Sequence, residues 1–365
     1  VSRFPTARHL AGLAPYQPGK PVEELEREFG IVGAVKLASN ENPLGPSPRA
    51  IVALTSAAGT IHRYPDGGSF RLRRRLAQRY GVGDEEVAVG SGSNELLTLI
   101  ARTYLEAGTN AVASRYGFIV YKLATHMAGG ELREVADLNY SHDLQAMAEA
   151  VDHNTRIVFV ANPNNPTGTY HNGEDLVRFL KRIPSHVLVV LDEAYVEYIT
   201  SPMGGDGVEL RRRFSNLVVT RTFSKAYGLA GMRIGYMIAD PEVIQALNTV
   251  RDPFNVNLLA QEAAIAALGD EPFLERVRHV NRQGRLFLQE RLRQMAIDWI
   301  PGEGNFLTLD LKRPAGAIEQ AMLRQGVIVR GLVPYDMPNH LRMSIGLQEE
   351  NERAIAALAQ ALATD

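Results

Sequence analysis

The sequence predicts an α/β protein: a large domain whose mostly parallel sheet is sandwiched by helices, plus a smaller α+β domain. Two observations predict it. Across residues 86–239 short apolar runs alternate with stretches of helical spacing, the pattern of parallel strands covered on both faces. After Pro253 the pattern changes to a long helical tract, three short strand-like runs and a last helix. Ligands of a parallel sheet bind beyond the carboxyl ends of its strands. The residues that follow each apolar run therefore carry the functional information.

Residues 1–30 mix proline, glycine and a short charged helix at 22–29. Pro15-Tyr16-Gln17-Pro18-Gly19-Lys20-Pro21 is not regular helix, because each proline fixes φ and removes a donor. A short strand at 35–38 enters a turn-rich crossing, Ser39 through Pro48, and a helix follows at 48–58. Arg63-Tyr64-Pro65-Asp66-Gly67-Gly68 is a turn before a basic helix at 69–80, read as a solvated face. The expected strands are then 86–89, 111–113, 156–160, 187–191, 217–220 and 234–239. Helices are expected at 94–105, 119–127, 143–150, 173–182 and 242–250. The helical tract at 258–295 is interrupted near Gly269-Asp270-Glu271-Pro272. The last unit has strands at 306–309, 327–330 and 341–345 and a helix at 351–363. The expected division is an N-terminal arm with part of the small domain (1–43), a large domain (44–256) and a small C-terminal domain (257–365).

Composition narrows the function. Hydrophobic residues make up 45% and charged residues 22%, and the formal net charge is -2, so no basic excess is present to hold a nucleic acid. There are no cysteines, which removes disulfides, thiolate nucleophiles and Cys-ligated metal centres. No apolar run approaches the ~20 residues that span a bilayer, and Val1-Ser2-Arg3-Phe4-Pro5 lacks a signal-peptide core. The expectation is a cytoplasmic enzyme with no metal, no nucleic acid and no membrane among its partners.

Four strand ends form a constellation. Gly90-Ser91-Gly92-Ser93-Asn94 opens a helix, where small residues and backbone N–H groups suit an anion, although an ordinary turn has the same form. Asn162-Pro163-Asn164-Asn165-Pro166-Thr167-Gly168 is stiff and carries three amides. Asp192-Glu193-Ala194-Tyr195 follows five apolar residues, so the Asp192 charge is poorly solvated and calls for a cation or proton. A protonated pyridine nitrogen meets that need; a magnesium ion or a structural ion pair are the alternatives. Lys225 lies in Thr222-Phe223-Ser224-Lys225-Ala226-Tyr227-Gly228, on a loop with small and hydroxyl neighbours, as a lysine that condenses with a carbonyl requires. Thr222, Ser224 and Arg233 add two hydroxyls and a fixed cation, which suit a phosphate. The residues point to pyridoxal 5'-phosphate.

These stretches, with Tyr16-Gln17-Pro18-Gly19, Ser39-Asn40-Glu41-Asn42-Pro43 and Leu341-Arg342-Met343-Ser344, run in order across nearly the whole chain. Taken together the sequence resembles the fold-type I pyridoxal-phosphate aminotransferases and, within them, the histidinol-phosphate aminotransferase family. The resemblance implies that Lys225 binds the cofactor covalently and moves the proton during transamination. It implies that Asp192 pairs with the ring nitrogen, Asn165 and Tyr195 with the ring oxygen, and Ser93, Asn94, Thr222, Ser224 and Arg233 with the phosphate. Tyr116 would stack on the ring, and Tyr64 would reach the cofactor of a second subunit in a homodimer with shared sites. Arg342 would grip an acidic group of the substrate, with Tyr16 and Arg330 at its distal end. The implied reaction is histidinol phosphate with 2-oxoglutarate giving imidazole-acetol phosphate and glutamate. Two departures stand out: Asn94 where the family often has Asp, and no proline-threonine lead before Tyr116. The second is shared with enzymes acting on aromatic amino acids, so an aromatic aminotransferase, or a related decarboxylase, is the alternative.

Overall fold

The computed structural model describes residues 4, 6–10, 13, 19–201 and 205–364. Helix α1 (Val22–Phe29) ends at Gly30, whose φ of 64° is the left-handed conformation that closes a helix without steric cost. Strand β1 (Val35–Lys36) is followed by α2 (Pro48–Ala57), capped by the Ser47 hydroxyl, which accepts the Arg49 N–H. Next come α3 (Phe70–Tyr80), β2 (Val87–Gly90), α4 (Ser93–Tyr104), β3 (Asn110–Ser114) and α5 (Ile119–Met127). Strand β4 (Glu131–Val135), α6 (Leu144–Glu149), β5 (Thr155–Ala161), α7 (Gly173–Leu180) and β6 (Leu188–Asp192) continue the alternation. Helix α8 (Gly207–Arg211), β7 (Leu217–Thr222), β8 (Gly235–Ile238) and α9 (Pro241–Val250) complete the block.

Seven of these strands form one sheet in the order β2-β8-β7-β6-β5-β3-β4. All run parallel except β8, which is antiparallel to both β2 and β7. Each central strand feeds two cores because successive side chains alternate. Val189 and Leu191 enter one cluster with Val160 and Val219, whereas Leu188 and Val190 enter another with Phe159 and Val218. Burial on both faces explains the unbroken apolar runs.

The helical tract after Pro253 is two helices, α10 (Leu258–Ala267) and α11 (Glu271–Gln294), broken where glycine and proline predict. Strand β9 (Asp298–Trp299), β10 (Phe306–Asp310), α12 (Ala315–Arg324), β11 (Val327–Ile328), β12 (Arg330–Leu332), β13 (Met337–Ser344) and α13 (Gln348–Thr364) follow. A four-stranded antiparallel sheet has the order β12-β13-β10-β9, and β1 pairs with β11 in a separate parallel pair. Leu37, beside β1, packs in the same core as Leu309, Met322, Leu341 and Leu358.

The structure adds α8, β9 and α12 to the expected elements and differs from them in three further places. The single run at 327–330 is two strands in two sheets. Strand β4 was not expected, because Glu131-Leu132-Arg133-Glu134-Val135 is a half-exposed edge strand with no apolar run. The strand expected at 35–38 covers only two residues.

Alternation at the ends of β6 and β7 separates two buried carboxylates. Asp192 faces one side and Glu193 the other, where Arg221 donates to it through Nε (2.8 Å) and Nη2 (2.7 Å). Arg221 also donates to Asp206 (2.7 Å), lies over the Tyr80 ring at 5.0 Å, and is 4% exposed. Breaking a buried pair leaves an uncompensated charge, so Arg221→Ala should lose about 3–5 kcal/mol of stability. Urea unfolding followed by circular dichroism checks this; a loss below about 1 kcal/mol would mean that the pair contributes no more than a surface salt bridge does.

Candidate active site

Strands β5, β6 and β7 end side by side, and their C-terminal edge opens into a cavity lined by Asn165, Asp192, Tyr195, Thr222, Ser224 and Lys225. Ser93, Asn94, Arg233, Arg330 and Arg342 complete the wall. Lys225 sits on the loop between β7 and β8. Phe223, Ala226, Tyr227 and Leu229 anchor that loop in the core, and the Leu229 N–H closes it on the Phe223 carbonyl (2.9 Å). Gly228 has a φ of 69°, and a Cβ there would fall 2.1 Å from the Gly45 carbonyl oxygen, so only glycine permits the approach. The Lys225 Nζ donates to the Ser39 carbonyl (2.8 Å) and lies 5.7 Å from the Tyr195 ring centroid. Burial, then the Arg342 guanidinium, lowers its pKa from 10.5 to about 7.

Asp192 is 4% exposed. The Tyr121 hydroxyl donates to its Oδ2 (2.9 Å) and the Thr220 hydroxyl to its Oδ1 (3.2 Å). Burial raises its pKa to about 6, against the pull of those two hydrogen bonds. Tyr195, pushed up to about 12 by burial, accepts the Asn40 amide (3.0 Å) at its hydroxyl. Asn165 accepts from Arg342 Nη1, and Arg342 Nη2 donates to the Ala38 carbonyl. The Arg342 Nε is buried without a hydrogen bond in the structure.

At the other end, α4 begins at Ser93 with Gly92 as its cap, and no side chain caps it. Its first N–H groups therefore remain available for an anion. The φ of Gly92 is 82°, and a Cβ there would lie 2.5 Å from the Arg233 Nη2. The Arg233 Nη1 donates to the Ser224 hydroxyl (3.2 Å), and the Thr222 hydroxyl accepts the Ser224 N–H (3.1 Å). A helix start, two hydroxyls and a guanidinium thus surround one end of the cavity. An uncompensated carboxylate and an amine of lowered pKa line the same cavity. This donor set fits a flat ring that carries a phosphate, a carbonyl and a basic nitrogen.

Not every expected residue joins this group. Tyr116 lies outside the lining; Phe118 takes its place in the wall. The Tyr116 N–H is held by Asp137 (3.0 Å), and its ring faces Tyr140 at 6.0 Å in the cluster of Ile300, Leu332 and Met337. Tyr64 is 82% exposed, stacks on Phe254 and does not line the cavity of its own chain. Tyr16 lies outside the described residues. Tyr335 and Asn40 also line the cavity, and the sequence assigned no role to them or to Tyr121. Tyr121 carried no local signal, because its bond to Asp192 depends on packing between residues far apart in the chain.

The lowered pKa of Lys225 has a direct check. In the cofactor-free chain, acylation of Lys225, followed by mass spectrometry, should rise with pH about a midpoint near 7. Removing the nearby cation in Arg342→Met should move that midpoint upward, since a like charge disfavours the protonated amine. A midpoint near the ordinary lysine value of about 10.4 would show that the cavity does not desolvate the amine.

The sequence pattern described as "Aminotransferase class I and II" matches residues 32–358. The chain is 52% identical to a Pseudomonas aeruginosa protein named "Histidinol-phosphate aminotransferase 2" over 97% of this chain and 96% of that one. It is 48% identical to a Nitrosospira multiformis protein of the same name, over 98% and 91%. Among solved structures, a histidinol-phosphate aminotransferase from Sinorhizobium meliloti in complex with pyridoxal-5'-phosphate superposes with a TM-score of 0.90 at 31% identity, over 100% of this chain and 98% of that one. The match spans the seven-stranded and four-stranded sheets and the cavity lined from them: the chain belongs to the class I and II aminotransferase family.

Proposed function

We propose that this chain holds pyridoxal 5'-phosphate in the cavity and exchanges an amino group between histidinol phosphate and 2-oxoglutarate, giving imidazole-acetol phosphate and glutamate. The observation that carries the reading is the pairing, in one cavity, of the Lys225 amine of lowered pKa with the Asp192 carboxylate. The names of the relatives and the cofactor of the Sinorhizobium structure support it. When bound, the cofactor supplies a carbonyl that condenses with amines and a ring that withdraws electrons.

The chain's own residues do the rest on this reading. Asp192 holds the proton of the ring nitrogen, and Asn165 and Tyr195 orient the ring oxygen. Ser93, Asn94, Thr222, Ser224 and Arg233 receive the phosphate. Phe118 takes the place beside the ring first given to Tyr116. The Lys225 Nζ removes the proton from the substrate carbon and returns it, and a pKa near the working pH suits both directions. Arg342, with its Nε still to be satisfied, receives an acidic group of the substrate. On this reading the large domain begins near residue 44 and takes in α10, whose Ala260, Ala263, Ala264 and Ala267 pack in the core of Val189 and Leu191, and the four-stranded sheet with α12 and α13 belongs to the small one.

Arg330 and Arg342 stand directly opposite in the β12–β13 pair. Like charges placed opposite each other repel, and both side chains line the cavity. Two cations there favour a phosphate ester or a dicarboxylate over an aromatic amino acid, which offers one carboxylate. Initial rates with histidinol phosphate, phenylalanine and tyrosine as donors to 2-oxoglutarate test the reading. Arg330→Ala should lower kcat/KM for histidinol phosphate by roughly 10², from about 1.5–3 kcal/mol for a charged hydrogen bond, and for phenylalanine by less. A wild-type preference for phenylalanine, with both donors affected alike by Arg330→Ala, would establish the aromatic alternative.

The homodimer belongs to the same proposal. Ile51, Val52, Ile61, Tyr64 and Phe70 are exposed along one stretch of chain, and exposed apolar residues in number fit an interface. If Tyr64 reaches the partner's phosphate, mixing Tyr64→Phe chains with Lys225→Ala chains should rebuild one intact site per heterodimer. Activity should then exceed that of either variant alone. No gain on mixing would assign Tyr64 to its own chain or to no site.

A further inference from the structure

Tyr121 is 1% exposed and lies deep in the large domain. Its ring stacks on Phe159 with centroids 4.8 Å apart and planes 5° from parallel, and Phe118 meets it edge-on at 6.0 Å. These contacts fix the direction of its hydroxyl, which donates to Asp192 Oδ2. Thr220, with no exposed surface, donates to the other oxygen. The carboxylate is thus clamped by one hydroxyl on each oxygen. Burial together with the neighbouring Asp192 charge raises the Tyr121 pKa well above 10, so the hydroxyl keeps its proton and acts as a donor throughout the working range.

We propose that Tyr121 is a positioning residue, whose hydroxyl keeps Asp192 ionised and aimed into the cavity so that the shared proton rests on the cofactor's ring nitrogen. This rests on the reading of the cavity as a pyridoxal phosphate site. A hydroxyl that donates to a carboxylate stabilises the anion far more than the neutral acid. Two acceptors compete for one proton, the ring nitrogen and Asp192, and burial alone favours the neutral pair. The two hydroxyls oppose that preference. Thr220 leaves Asp192 from the following strand, whereas Tyr121 comes from α5, beside Phe118 in the cavity wall. Packing around the ring would therefore be communicated to the proton through Tyr121.

The experiment uses the full chain loaded with pyridoxal phosphate carrying ¹⁵N in the ring, and reads the ring-nitrogen chemical shift. In the wild type the signal should stand at the protonated position. Tyr121→Phe keeps the ring and its stacking but removes the donor. The proton should then move toward Asp192 by roughly tenfold in the equilibrium, the effect of losing one charge-assisted hydrogen bond. Thr220→Val should move it in the same direction. In an Asp192→Asn background Tyr121→Phe should cause no further movement. An unmoved signal in Tyr121→Phe, with cofactor bound, overturns the proposal, as does a movement that persists without the carboxylate. A weaker affinity with no movement would show that Tyr121 only packs. Failure of the wild type to take up the labelled cofactor would instead overturn the proposed function, so the two failures are distinct.

Discussion

A carboxylate buried at the end of a central strand, with two hydroxyls and no cation beside it among the described residues, is the constraint around which the site is arranged. Burying a charge without a partner costs several kcal/mol. The fold accepts that cost at Asp192 while cancelling it one residue later, where Glu193 meets Arg221 on the opposite face. Strand alternation makes the separation: adjacent acids point to opposite sides, and the Asp192 side opens into the cavity. A cation brought into that cavity relieves the cost. The sheet therefore stores an attraction for a positively charged ring instead of spending it on an internal ion pair.

The same economy governs Lys225. Its loop is anchored by Phe223 and Leu229, its amine is held on the Ser39 carbonyl inside the cavity, and Arg342 adds a repelling charge. Both effects favour the neutral amine, the form that attacks a carbonyl. Arg342 is itself positioned by Asn165 from the large sheet and by the Ala38 carbonyl from the N-terminal segment. Three separate stretches of chain thus meet at one guanidinium.

Much of this was legible in the sequence because the chemistry sits where local pattern is strongest. Asp192 closes an apolar run, Lys225 follows one, and Ser93 opens a helix after another; the period of the run places each at a strand or helix end. What stayed illegible depends on tertiary placement. Tyr116 and Phe118 are two residues apart in a turn, and the choice between them is made by Asp137, which takes the Tyr116 N–H from 21 residues away. The bond from Tyr121 to Asp192 joins residues 71 apart through packing on Phe159, which no local signal reports. Strand β4 was hidden for the reverse reason: an edge strand needs no apolar run to pair with β3.

On the proposed reading, the placement of Arg330 ties substrate selection to the four-stranded sheet. Strands β12 and β13 bring two arginines into direct opposition at the cavity wall, a pairing of like charges that an anion bound there would offset. Arg342 is also bonded to the loop after β5 and to the segment before α2. Arg342 therefore links the small sheet to the large one. On the proposed reading, Arg342 then serves both charge selectivity and the contact between the two sheets, and Arg330 supplies the second cation.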